Sequence, residues 1–319
     1  MKFRTEIEIA PLPERIGYRH RLLAVGSCFA QHIAAKLADA KFPIETNPTG
    51  ILFNPLSIVE ALRSYEQCEP VCLEELHHDG EVWFHYDFHG SFSDADAQAA
   101  AARMTAGRAV GASQLRQADF VLLTFGTAWV YERAGRPVAN CHRQPASEFV
   151  RRRLTVEEIV AACGEVFGGV LANKQIILTV SPVRHLGDGL AGNGLSKAIL
   201  RTAAAELEER HANVHYFPAY EIVMDDLRDY RFYADDLVHP TPQAIEYVWE
   251  KFVGAALDDE AQRRLPEVEA IVAAARHVSR NPQGKAHADF CRRCLERIAA
   301  LPDIRFDDEK RYFERYAGF

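Results

Sequence analysis

Arg21-Leu22-Leu23-Ala24-Val25-Gly26-Ser27-Cys28-Phe29-Ala30 carries a short apolar run into a glycine and then into a stretch where Phe29, Ile33 and Leu37 recur at helical spacing. The stretch reads as strand, tight turn, helix. The same form returns in Asp119-Phe120-Val121-Leu122-Leu123-Thr124-Phe125-Gly126, in Gln175-Ile176-Ile177-Leu178-Thr179-Val180-Ser181-Pro182 and, shortened, in Asn213-Val214-His215-Tyr216-Phe217-Pro218. Helical patterns near 95–116 and 195–210 separate these runs. Continuous apolar strands alternating with helices are the mark of a parallel sheet buried on both faces. The expected fold is therefore α/β, a doubly wound, flavodoxin-like sheet, whose ligands bind at the carboxyl ends of the strands.

Outward from this frame, Phe42-Pro43-Ile44 is a second apolar run leading to the turn-forming Asn47-Pro48-Thr49-Gly50, and Asn54-Pro55 opens a helix through Tyr65. Residues 83–92, Trp83 to Phe92, read as an irregular hairpin inserted between regular units. Thr241 caps, and Pro242 starts, a helix with Ala244, Val248 and Phe252 on one face. From 258 onward the chain is charged and helical in pattern, giving an α/β unit over 1–257 and a helical extension over 258–319.

The chain has 319 residues, 48% of them hydrophobic and 26% charged, close to the globular average. Its 37 Lys+Arg against 45 Asp+Glu leave a net charge of -8, the wrong sign for a phosphate-backbone binder, so no nucleic-acid partner is expected. The charged start Met1-Lys2-Phe3-Arg4 leads into no apolar core of a signal peptide, and no run approaches the ~18 apolar residues of a membrane span. The expected address is cytoplasmic, with no membrane partner. Seven scattered cysteines, an odd number, make a disulfide framework improbable in that setting.

Cys28 falls where the first strand turns into the first helix, so backbone N–H groups and the helix dipole favour its thiolate. A sharp strand-to-helix turn is also where α/β hydrolases expose a nucleophile. A base is offered by Asp236-Leu237-Val238-His239, in which a carboxylate and an imidazole can fold back on one loop, with Asp235 as the fallback carboxylate. Ser181-Pro182-Val183-Arg184-His185 follows a strand, so Arg184 and His185 belong to the same sheet edge, either binding an anionic or carbonyl group or closing a loop. Lys197, read as three residues into its helix, reaches that rim or is merely solvated. His85 and His89 read as substrate-wall aromatics; His287, Cys291 and Cys294, like Cys68 and Cys72, read as helix faces. No metal site and no cofactor are expected from these spacings.

Gly26-Ser27-Cys28-Phe29-Ala30 resembles the name-giving signature of the GSCFA family. Asn47-Pro48-Thr49-Gly50, Gly126-Thr127-Ala128-Trp129-Val130-Tyr131, Ser181-Pro182-Val183-Arg184-His185, Ser196-Lys197 and Asp236-Leu237-Val238-His239-Pro240 follow in the order seen there. The resemblance covers roughly residues 20–255 and leaves the tail outside. That family is similar in turn to the SGNH/GDSL esterases, a likeness that lays Cys28 on the nucleophilic serine and Ser27 on the preceding aspartate. It also lays Gly50 on the second-block glycine, Gly126 and Ala128 on Gly-x-Asn, and Asp236 and His239 on the closing pair.

Two departures follow from that likeness: a thiol stands at the nucleophile, and Ala128 replaces the oxyanion-hole Asn. The backbone N–H groups of Cys28 and Gly50, helped by Asn54, Thr127 or His185, are the expected substitutes, and Ser27 is a rival nucleophile. The implied function is acyl chemistry by a Cys28–His239–Asp236 triad, as an esterase, thioesterase or acyltransferase on an acylated small molecule or carbohydrate. The competing readings are a ligand-binding protein that kept the fold without turnover, and a thiol-based metal or redox module.

Overall fold

The computed structural model of the chain describes residues 4–318. Five strands, β1 (Leu22–Gly26), β2 (Ile44–Thr46), β3 (Phe120–Phe125), β4 (Gln175–Val180) and β5 (Val214–Tyr216), form one sheet in the order β5-β4-β3-β1-β2. Every pairing in it is parallel. Alternate side chains enter two separate apolar layers, as a sheet covered on both faces requires. Leu22, Ala24, Phe120, Leu122 and Ile177 face one layer, and Leu23, Val25, Val121, Leu123, Ile176 and Leu178 the other. The doubly wound α/β fold is thus the observed one. The strand order reverses between β1 and β3, which is where such sheets open a crevice.

Helices α1 (Cys28–Asp39) and α6 (Pro242–Ala256) cover the first layer; α2 (Pro55–Gln67), α4 (Val156–Gly168) and α5 (Gly189–Arg210) cover the second, with α3 (Ala97–Gln117) at its margin. Helices α7 (Asp259–Arg276), α8 (Lys285–Ala299) and α9 (Asp307–Ala317) complete the chain. Leu265, Val268, Ile271, Cys291, Cys294 and Phe313 from them join the same cluster as Phe29, Ile33 and Leu37 of α1. The extension therefore shares the core of the α/β unit, and Arg276–Asp39 and Lys41–Glu309 ion pairs tie the two together.

Three local expectations are corrected. The second strand runs over Ile44–Thr46 rather than from Phe42, because Pro43 has no N–H for the ladder and Phe42 is committed to the core. A small antiparallel sheet of Trp129–Arg133, Arg136–Val138 and Val150–Arg153 lies where no strands were read. Its last strand, Val150-Arg151-Arg152-Arg153, has no apolar alternation; Arg151 instead stacks 4.0 Å over the Trp129 ring. Cys68 and Cys72 share no helix face: Cys68 ends α2 at φ 54° and Cys72 precedes a short 3-10 turn. Among the described residues, no helix is long and apolar enough to cross a membrane.

Candidate active site

The turn after β1 is built by close backbone approach. Gly26 has φ +148°, and a Cβ there would lie 2.4 Å from the carbonyl oxygen of Thr124 on β3, so only glycine passes. Its N–H donates to Asn47 Oδ1 at 2.8 Å, and the Asn47 N–H donates to Ala24 O at 2.8 Å, clamping the second-block turn onto β1. Ser27 then donates its N–H to Thr124 O at 3.2 Å and occupies the N-cap of α1 without a capping side-chain bond. Its Oγ is buried and, among the described residues, has no partner.

Cys28 is the first residue of α1 and is partly exposed, whereas Ser27 is 2% exposed. Burial pushes the Cys28 thiol up, against the downward pull of the Phe29 and Cys28 N–H groups and of Lys197. The N–H groups at the start of α1 favour the thiolate, as expected at a helix start, but burial outweighs them.

The loop before α6 closes on itself: Ala234 N–H donates to His239 O at 2.8 Å, and Leu237 N–H to Ala234 O at 2.8 Å. Leu237 takes φ 56°, and the reversal lets Asp236 reach forward. Asp236 Oδ1 accepts from Val238 N–H at 2.9 Å and His239 N–H at 3.0 Å, while Oδ2 lies 2.6 Å from His239 Nδ1. These bonds, the His239 N–H first, hold the Asp236 carboxyl down at about 2. Asp236 is therefore an ionised partner of His239 at Nδ1; among the described residues, His239 Nε2 makes no hydrogen bond and Asp235 makes none to the ring.

His239 also depresses the pKa of His32, after the effect of burial, and His32 stands one helical turn beyond Cys28 on α1. Among the described residues, no hydrogen bond joins His239 to the Cys28 sulfur.

Beneath this edge lies Lys197, which reaches it from below and is not solvated. It is 1% exposed, deep within α5, where Nζ donates to Gly126 O at 2.6 Å and Ser181 O at 2.7 Å. Burial pulls its pKa down to about 7, opposed by the Cys28 charge. His185 is brought down to about 4, by burial first and Lys197 second, while the Asp188 charge opposes the shift. It is a neutral imidazole at physiological pH, edge-on to Phe53 at 6.3 Å between ring centres.

A family model described as the GSCFA family matches residues 21–252, which include all five strands, Cys28 and His239. The chain belongs to the GSCFA family. A second family model, described as the GSCFA domain protein C-terminal domain, matches residues 268–317, so the tail left outside the resemblance is itself part of the family pattern. Among curated proteins no match is found.

Several expected substrate-binding groups of this GSCFA chain are committed elsewhere. Gly50 N–H donates to Asn47 O at 2.8 Å and is no free oxyanion donor; its φ of +97° and the His89 Cβ, 2.1 Å from where a Gly50 Cβ would sit, explain the glycine instead. Asn54 caps α2: Oδ1 accepts from Ser57 N–H and Nδ2 donates to Ser57 Oγ, both at 2.9 Å. Thr127 Oγ1 accepts from Trp129 N–H at 3.1 Å and pairs with Ser196 Oγ at 3.2 Å. Gly126 gives its N–H to Phe53 O at 2.8 Å, and a Cβ on it would meet that oxygen at 2.9 Å. Arg184 closes a loop: its N–H donates to Val238 O at 3.2 Å and its guanidinium lies 3.9 Å over the Tyr233 ring.

Other sulfur and imidazole groups stand apart from this edge. His85 Nδ1 accepts from Asp87 N–H at 3.0 Å and His89 Nδ1 from Ser91 N–H at 3.2 Å, so both cap local turns. Cys291 and Cys294 are buried in helix packing, with His287 Nε2 3.6 Å from Cys291 Sγ. Among the described residues, no three His, Cys, Asp or Glu side chains converge as a metal site.

Proposed function

We propose that the protein is an acyl-chemistry enzyme in which Cys28 is the nucleophile, His239 the base and Asp236 the residue that orients it. It acts as an esterase, thioesterase or acyltransferase on an acylated small molecule or carbohydrate. The observation that carries this reading is a partly exposed thiol on the first turn of α1, at the switch point between β1 and β3, in a chain whose His239 imidazole is held by an ionised carboxylate.

In the proposed reaction the Cys28 S–H bond breaks, His239 Nε2 takes the proton, and sulfur attacks the acyl carbon. Collapse of the tetrahedral adduct breaks the bond to the leaving group, which receives that proton. The resulting thioester passes its acyl group to water or to an amine, thiol or hydroxyl acceptor. The Cys28 N–H is the oxyanion donor on this reading, because the Gly50 N–H, Asn54 and Thr127 are engaged.

A test is incubation with p-nitrophenyl acetate followed by intact-protein mass and peptide mapping. An acetyl adduct on Cys28, absent in Cys28→Ala and slowed in His239→Ala, supports the reading. An adduct lost in Ser27→Ala and kept in Cys28→Ala refutes it. The engaged donors and Ala128 favour one second reading, a ligand-binding protein without turnover, whose Cys28 would react slowly with electrophiles whether or not His239 is present.

A further inference from the structure

The triad leaves Lys197 unused, and its surroundings are costly for a side chain with no task. It is a buried ammonium-bearing residue whose hydrogen-bond partners are two carbonyl oxygens and no carboxylate. Burial without an ion-pair partner disfavours its charge. The two carbonyls end β3 and β4 at the sheet edge where Cys28 stands, and a Cβ on Gly126 would lie 3.3 Å from that of Ser27. Lys197 is thus anchored to the backbone directly behind the nucleophile's turn.

We propose that Lys197 is a positioning residue for Cys28, a buried cation that stabilises the thiolate once the thiol has lost its proton. The proposal rests on Cys28 being the reactive residue and specifies what ionises it. The proton still leaves for His239 and the S–H electron pair stays on sulfur, while the thiolate charge in turn holds the proton on Lys197. The pair then formed is thiolate and ammonium, each supplying the opposite charge that burial denies the other. In keeping with this, Cys28 is the one group whose charge raises the Lys197 pKa, and Lys197 lowers that of Cys28.

The other groups around the pair do not replace this charge. On α1, His32 lies toward solvent beside His239. From the loop after β4 come His185, which is neutral, and Arg184, whose guanidinium is stacked on Tyr233. From the loop before α6 come His239 and Asp236, each about half exposed and paired to one another. The Tyr220 ring centre is 6.0 Å from Lys197 Nζ and adds no positive charge.

The test is the rate of Cys28 alkylation by iodoacetamide across pH, read on the Cys28 peptide by mass so that the exposed Cys68 and Cys72 do not contribute. Iodoacetamide needs neither acyl substrate nor turnover, so the outcome is independent of whether an acyl adduct forms. Lys197→Gln keeps an N–H donor for the carbonyls and removes the charge. It should move the curve upward by about one pH unit and slow alkylation at neutral pH about tenfold. Lys197→Arg should restore the wild-type curve.

A Lys197→Gln curve that superimposes on wild type overturns the proposal. Should the Gln variant fail to fold by circular dichroism, wild-type protein in low and in roughly 1 M salt decides the matter. A buried partner leaves the alkylation curve in place, whereas a curve displaced upward by salt assigns the stabilising charge to an exposed group and overturns the role of Lys197.

Discussion

Asn54→Ala separates a structural amide from a catalytic one. If Asn54 stood in for the missing oxyanion Asn, its loss would slow acylation by ~10²–10³ with stability unchanged. The hydrogen bonds lead to the opposite expectation. Asn54 is 5% exposed, its Oδ1 caps the Ser57 N–H and its Nδ2 serves Ser57 Oγ. Losing an N-cap costs about 1–2 kcal/mol, here at the upper end because the Ser57 groups left behind are buried. With an unfolding entropy of ~2.1 cal/mol/K per residue, a chain of 319 residues loses about 1.5 °C of Tm for each kcal/mol. Calorimetry should therefore record a fall of about 1.5–3 °C, while the acetylation rate of Cys28 stays within about threefold of wild type. An unchanged Tm with acylation slowed tenfold or more would refute the cap assignment.

Asp236→Asn should lower Cys28 acylation by about 10²-fold or more, since the amide cannot hold the productive His239 tautomer, while Asp235→Asn leaves the rate near wild type; equal effects measured by adduct mass would remove Asp236 from its role. The unfolded His185 imidazole binds its proton near 6.5 and the folded one only near 4, so unfolding takes up a proton between those values and stability falls as acid is added. His185→Gln should flatten urea-midpoint against pH across that window, and an unaltered slope would contradict the buried neutral ring. Ser27→Ala removes a buried hydroxyl without a partner and should leave stability equal or higher and the acyl adduct intact, as checked by melting and intact mass.

How far the site was legible differs from residue to residue. Continuous apolar runs announced four of the five strands, because a strand buried on both faces needs no polar side, and Gly26 and Cys28 followed from where β1 stops. Asp236-x-x-His239 was legible because both partners lie on one short loop. The donors that the structure finds engaged, by contrast, carried their own contrary signal. Asn followed by Pro is a helix-start signature, and an amide oxygen that caps fixes its side chain to the helix end. Asn47-Pro48-Thr49-Gly50 has turn chemistry, and the fourth residue of a β-turn gives its N–H to the first. Lys197 was hidden by the start of α5: Gly189, Gly192 and Gly194 are weak helix formers, so the helix was begun too late. Counted from its true start, Asn193, Ser196, Lys197, Leu200, Ala204 and Leu207 form one buried stripe, and the lysine stands in the middle of it.

That stripe bears on why the turn at Cys28 looks as it does. Packing alone would fill the Lys197 position with an aliphatic side chain, as it fills Leu200 and Leu207, and would leave no orphaned hydroxyl at Ser27. Instead a left-handed Gly26, an unpartnered Ser27 Oγ, an Asn47 Nδ2 without an acceptor and a buried lysine converge on one strand end. Each opposes stability, and three of the four meet within the clamp between β1 and the Asn47 turn. Elsewhere on the same sheet a comparable buried hydroxyl is satisfied: Thr179 Oγ1 donates to Phe217 O at 2.7 Å. Local rules broken together at one place are in keeping with the proposed role of Cys28, since stability is commonly exchanged for function at such places. Of the buried side-chain atoms that lack a partner among the described residues, two lie here, at the residue before Cys28 and at the side chain that clamps Gly26.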